Sequence, residues 1–173
     1  ENYIAMLVAA TRKNFNLDED AEITIEMNPG TVSEKKIKTY LNCGINRFSV
    51  GLQTAVDGQL REIGRVHDLK QFLQCAKLLK GKNFSVDVML GLKNQTVDDV
   101  IKTVETAAYS GAKHISVYAL SPEDGTPIYS DYLNGELPDG DEVAAMYAAA
   151  YAKLKELGFT RYEVSNFCKK GFE

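Results

Sequence analysis

No run of apolar residues in this sequence approaches the roughly 20 needed to cross a membrane. The first residues also lack the basic, apolar and small-residue regions of a secretory leader. There is no basic excess: 20 Lys and Arg against 24 Asp and Glu leave a net charge of −4, which argues against nucleic acid as a partner. No acidic block marks a disordered tail, and no low-complexity segment or linker divides the 173 residues. A single domain over residues 1–173 is expected. Cysteine is scarce, and Cys43, Cys75 and Cys168 stand too far apart for any Cys-x-x-Cys or other metal-ligand spacing. Cys43 and Cys75 fall in helical stripes, where a small buried hydrophobe is the ordinary role. This usage suits a reducing cytoplasm. No residue is assigned a catalytic or metal-ligating role. The chain opens at Glu1 in mid-helix pattern without an initiator Met, which suggests a fragment.

What is present is an alternation of strands and helices. Tyr3, Met6, Leu7 and Ala10 share one face of a helix over 2–16. Ile23, Thr24, Ile25 and Glu26 alternate apolar and polar, Asn28-Pro29-Gly30 turns the chain, and Thr31-Val32-Ser33-Glu34 reads as a capping box for a helix to Cys43. Further strands are expected at 47–53, 84–90, 114–120 and 161–165, with helices near 56–63, from Asp68, from Thr96 and over 141–157. The stretch 121–138, rich in Pro and Gly, reads as a long surface loop. Short connections between alternating strands and helices give a parallel sheet with right-handed crossovers.

Residue parity indicates the kind of sheet. Phe48, Val50 and Leu52 oppose Arg47, Ser49, Gly51 and Gln53; Phe84, Val86, Val88 and Leu90 oppose Ser85, Asp87 and Met89; Ile115, Val117 and Ala119 oppose His114, Ser116, Tyr118 and Leu120. A doubly wound sheet would be apolar on both faces. One polar face instead suits a partial barrel whose lumen holds a ligand. Glu26, Gln53, Asp87 and Tyr118 then form a convergent rim at strand ends, where α/β chemistry sits. Each also has a plainer reading. Glu26 could be a surface carboxylate and Gln53 a tie for loop backbone. Asp87 could pair with Arg47 or Arg65, and Arg65 could be a solvated charge. His67 and His114 read as structural or exposed, and Tyr147 and Tyr151 as core.

Several segments then carry a family resemblance: Glu26-Met27-Asn28-Pro29-Gly30-Thr31, Arg47-Phe48-Ser49-Val50-Gly51-Leu52-Gln53, Gly64-Arg65-Val66-His67, Val86-Asp87-Val88-Met89-Leu90-Gly91-Leu92 and Tyr162-Glu163-Val164-Ser165-Asn166-Phe167. Together they resemble the radical S-adenosylmethionine (SAM) family of oxygen-independent coproporphyrinogen III oxidases, and within it the haem-chaperone branch. The resemblance implies an α/β fold, a parallel partial (β/α) barrel of radical SAM type, here incomplete at the N-terminus. It implies SAM and a [4Fe-4S] cluster as cofactors of the full-length protein, with haem as a further ligand. Carried over by position, Glu26, Gln53, Arg65 and Asp87 are cofactor-binding, contacting SAM, and the backbone near Leu120 and Ser121 aligns with a further contact. Two functions stay open: delivery of haem to a client protein, or oxidative decarboxylation of porphyrinogen propionates. An unrelated parallel-barrel enzyme with the same strand-end polarity is a third. The family's Cys-x-x-x-Cys-x-x-Cys loop and Gly-Gly-Gly-Thr-Pro stretch do not occur here and are expected upstream of Glu1. This chain alone should therefore lack radical activity.

Overall fold

The computed structural model describes residues 2–173. Helix α1 (Asn2–Asn14) precedes β1 (Thr24–Met27), a 3-10 turn at Pro29–Thr31 and α2 (Glu34–Asn42). Then come β2 (Arg47–Gln53), α3 (Asp57–Glu62), α4 (Leu69–Leu78), β3 (Phe84–Leu90), α5 (Val97–Tyr109) and β4 (His114–Ala119). The chain continues through α6 (Pro127–Leu133), α7 (Gly140–Glu156), β5 (Thr160–Arg161) and β6 (Asn166–Cys168).

These strands form one six-stranded sheet in the order β1-β2-β3-β4-β6-β5. The first four are parallel and neighbours in both sequence and space. Each right-handed crossover therefore adds its strand on the same side, which keeps the helices on one face of the sheet, the winding of a barrel. The sheet is open, with β1 and β5 as its edges. Phe48, Val50, Leu52, Phe84, Val86, Val88, Ile115 and Val117 are fully or almost fully buried under Ile37 and Tyr40 of α2, Phe72 and Cys75 of α4, Val100 and Val104 of α5, and Met146, Ala150 and Leu154 of α7. The expected parity holds except at the end of β4, where Ala119 is exposed, and the opposite face is left polar.

Caps place the helices. Asp68 accepts from Gln71 N, Thr96 from Asp99 N and Asp139 from Glu142 N, each within a reciprocal capping box. No helix among the described residues is long and apolar enough to cross a membrane.

Several sequence expectations are corrected. Ser33, not Thr31, caps α2, because Pro29–Thr31 is itself wound into a 3-10 turn. The sheet is not wholly parallel: β6 runs antiparallel to β4, and β5 antiparallel to β6, so 161–165 is mostly turn. Residues 127–133 form α6 inside the expected loop, with Pro127 in its first turn, where a missing N–H costs nothing. On α1 the Tyr3, Met6 and Leu7 stripe is exposed, while Val8 is buried and Ile4 packs on the core. Tyr151 is also more open than a core residue, with Arg161 over its ring at 5.2 Å. Tyr147 does pack against the core, its ring 6.4 Å from that of Phe167.

Candidate functional site

The polar face of the sheet walls a cavity of about 800 Å³. Strand register builds it in layers. Glu26 lies beside Ser49, Ser49 beside Ser85, and Asp87 between Gly51 and Ser116. Because side chains alternate along each strand, these residues share the face that Phe48 and Val86 do not. Glu26, Gln53, Arg65 and Asp87 all line this one cavity.

Each has a distinct setting. Glu26 is exposed on the lumen side, and its carboxylate makes no hydrogen bond or ion pair among the described residues. Arg65 lies in the loop after α3 and donates to Asn28 Oδ1 at 3.2 Å, which ties that loop to the Asn28-Pro29-Gly30 turn. Gln53 is 3% exposed and accepts at Oε1 from the Tyr118 hydroxyl at 3.1 Å. Tyr118 thus lines the lumen, as its strand parity predicts.

Asp87 sits in the middle of β3, not at its end. Its Oδ2 accepts from the Ser49 hydroxyl at 3.1 Å, and Ser85 donates to Ser49 at 3.1 Å. Burial pushes the Asp87 carboxyl above the ordinary carboxylate range, opposed by the Ser49 and Ser116 hydroxyls, and the nearby Glu26 charge pushes it further up. The alternative of Asp87 as an ion-pair partner of Arg47 or Arg65 is not what the structure contains. Arg47 pairs instead with Glu22 at 2.9 Å. Burial, with the Asp87 charge, also raises the Tyr118 phenol.

The opposite end of the cavity holds residues that sequence reasoning did not select. His114 begins β4, and its Nε2 lies 2.9 Å from the Tyr162 hydroxyl, the two rings meeting edge to face. His114 is 3% exposed, and burial together with the Arg47 charge lowers its pKa to about 4. Parity alone could have found it, since His114 leads the polar face of its strand. His67 is buried away from the cavity lining, and burial lowers its pKa as well. Leu120 borders an adjoining, more apolar hollow of about 400 Å³ with Arg65, Met89 and Pro127.

Two carboxylates, two guanidinium groups, three amides and several hydroxyls around one space suit a polar molecule carrying both charges. Among the described residues no group of three or more His, Cys, Asp or Glu could hold a metal ion, and Cys43, Cys75 and Cys168 are all free.

Known proteins resemble this chain over nearly its whole length. The chain is 36% identical to the heme chaperone HemW of Buchnera aphidicola over 98% of its own length and 45% of that protein's. It is 40% identical to a mitochondrial radical S-adenosyl methionine domain-containing protein 1 of Danio rerio, over 96% of this chain and 38% of the relative. The chain thus spans less than half the length of these curated relatives. Among solved structures, the coproporphyrinogen III oxidase HemN of Escherichia coli superposes with a TM-score of 0.83 at 22% identity, over 98% of this chain and 40% of that one, a likeness of fold. Residues 1–107 match the description of the radical SAM superfamily, and with the fold and lumen just described the chain belongs to that superfamily.

Proposed function

We propose that this chain forms the SAM-cradling wall of a haem chaperone, with Glu26, Gln53, Arg65 and Asp87 as the contacts to SAM. The observation that carries the reading is the convergence of these four side chains, from three strands and one loop, on a single polar lumen. The donor set fits the molecule. The free carboxylate of Glu26 can accept from an ammonium group or ribose hydroxyls, and Arg65, which spends one N–H on Asn28, keeps others for a carboxylate. Asp87 and its serine neighbours offer a mixed acceptor and donor surface deeper in.

The superfamily also implies a [4Fe-4S] cluster, and here the residues do not fit: no described group of ligands could hold it. Bound SAM supplies one-electron chemistry only with such a cluster, so this chain's own part is to bind, orient and shield. Haem as cargo is supported by the names of relatives such as the heme chaperones HemW of Buchnera aphidicola and Bacillus subtilis, 36% and 37% identical to this chain, and a client protein that accepts it is part of the proposal.

The full-length protein, reconstituted with iron and sulfide, tests the proposal. SAM binding with stable uptake of haem and its transfer to an apo-protein is the expected result. Conversion of coproporphyrinogen III to a divinyl product would replace the chaperone reading with the oxidase one. Failure to bind SAM would remove the cradle itself.

A further inference from the structure

Gln53 is held by its surroundings in an unusual way. The β2–β3 ladder pairs Gly51 with Asp87 and then Gln53 with Val88, passing over Leu52 as a bulge. Register alone would send Gln53 to the core face beside Val88. At this bulge the Gln53 backbone adopts φ 67°, shared among described non-glycine residues only with Asn94, and its side chain lines the lumen opposite buried Leu52. Glutamine has no special tolerance of that conformation, so contacts elsewhere must hold it.

Two neighbours do so. Tyr118, two strands away on β4, reaches across β3 and donates its hydroxyl to Gln53 Oε1 at 3.1 Å. Gly51 supplies bare backbone beneath the amide, for a Cβ there would stand 2.7 Å from Gln53 Nε2. The carboxamide oxygen is thus occupied, whereas its nitrogen has no acceptor among the described residues and borders the cavity. An amide free to rotate could present either end to a ligand. With the Tyr118 hydroxyl as donor to its oxygen, this one presents its nitrogen.

We infer that Tyr118 and Gly51 are positioning residues that fix the Gln53 carboxamide as a hydrogen-bond donor toward the lumen, so that this point of the site selects an acceptor atom of the bound molecule. The inference rests on the reading above that the lumen takes SAM, whose carboxylate, ribose oxygens and adenine nitrogens are such acceptors.

The test is SAM affinity, by calorimetry on the full-length reconstituted protein, for wild type, Gln53→Ala, Tyr118→Phe, Gly51→Ala and the pairs with Gln53→Ala. Gln53→Ala and Tyr118→Phe should each weaken binding by about three- to tenfold, the worth of one hydrogen bond. Tyr118→Phe and Gly51→Ala should add almost nothing once Gln53 is alanine, because both act through it. Gln53→Glu keeps the oxygen for Tyr118 but replaces the donor with a charged acceptor, and should bind more weakly than Gln53→Ala. Thermal melting of each variant separates lost binding from lost fold, and Gln53→Glu carries the test if Tyr118→Phe does not fold. Equal losses from Tyr118→Phe in both backgrounds, or a Gln53→Glu variant that binds like wild type, would overturn the inference. Wild-type protein that holds its cluster but binds no SAM would instead sink the reading beneath it.

Discussion

Acidification should weaken this protein through His114. Burial of the imidazole against Tyr162 and then the Arg47 charge lower its pKa from 6.5 to about 4, with Glu22 and Glu163 offsetting only part of this. Above pH 6.5 the ring is neutral in folded and unfolded chains alike, and pH has no purchase on it. Below that, the unfolded chain takes a proton that the folded one refuses, and stability declines until about pH 4, where the loss is complete. The gap between 6.5 and about 4 corresponds to about 3 kcal/mol. His114→Phe keeps the ring edge on Tyr162 and removes the titration; the Tyr162 hydroxyl, on a residue 44% exposed, turns to water. Urea unfolding of both proteins between pH 7.5 and 4 isolates the residue, since the carboxylates that also titrate in this range are shared. Wild type should lose up to about 3 kcal/mol relative to the variant across that range. Parallel pH profiles for the two proteins would refute the reasoning, because they would mean that the folded ring accepts its proton as easily as the unfolded one.

The lumen carboxylate should behave in the opposite sense. Because the Asp87 pKa is raised on folding, its cost is absent in acid and appears as pH climbs past the ordinary carboxylate range, so Asp87→Asn should melt no lower than wild type at pH 7 while binding SAM less tightly. A lower melting temperature would contradict this. Thr103 is fully buried, donates to Asp99 O at 2.7 Å and accepts from Ala55 N at 2.9 Å; Thr103→Val should cost about 1–3 kcal/mol in chemical unfolding. Thr106→Val, which removes an exposed bond of the same kind to Lys102 O, is the control and should change stability by no more than about 0.5 kcal/mol. Phe48→Ala, at a fully buried centre of the sheet, should cost about 3–5 kcal/mol, and a loss under about 1 kcal/mol would mean that the helices do not close over it.

Periodicity made much of this architecture legible. Strands with clean alternation, such as Phe84 to Leu90, declared both their extent and their two faces, and the caps at Asp68 and Thr96 followed from side-chain chemistry alone. The candidate lumen followed from the same parity, which put Glu26, Gln53 and Asp87 on one face. What escaped notice depended on contacts distant in sequence. Three residues, Asn166 to Cys168, are too few to show a period, and their antiparallel pairing with β4 is decided by docking across about 50 positions. Helix α1 carries apolar residues on more than one side, so composition could not say that Ile4 and Val8 rather than Tyr3 and Leu7 would turn inward. Arg65 could be placed only by resemblance, because a loop residue has no parity; its bond to Asn28 is a tertiary fact. The floor residues Arg47, His114 and Tyr162 went unselected because attention to strand C-termini discounts the other end of a lumen.

The bulge at Leu52 sets two demands on β2 against each other. A chain one residue shorter at this point would run an uninterrupted ladder with β3, and its glutamine would face the helices beside Val88. The buried leucine lost in that exchange could be replaced by repacking, whereas no repacking would bring the amide back. Improvement by stability alone would therefore drift toward a smoother strand and a blind lumen. A screen for sturdier versions of this fold must score ligand binding alongside melting temperature, or it will reward the variants that have given up the site.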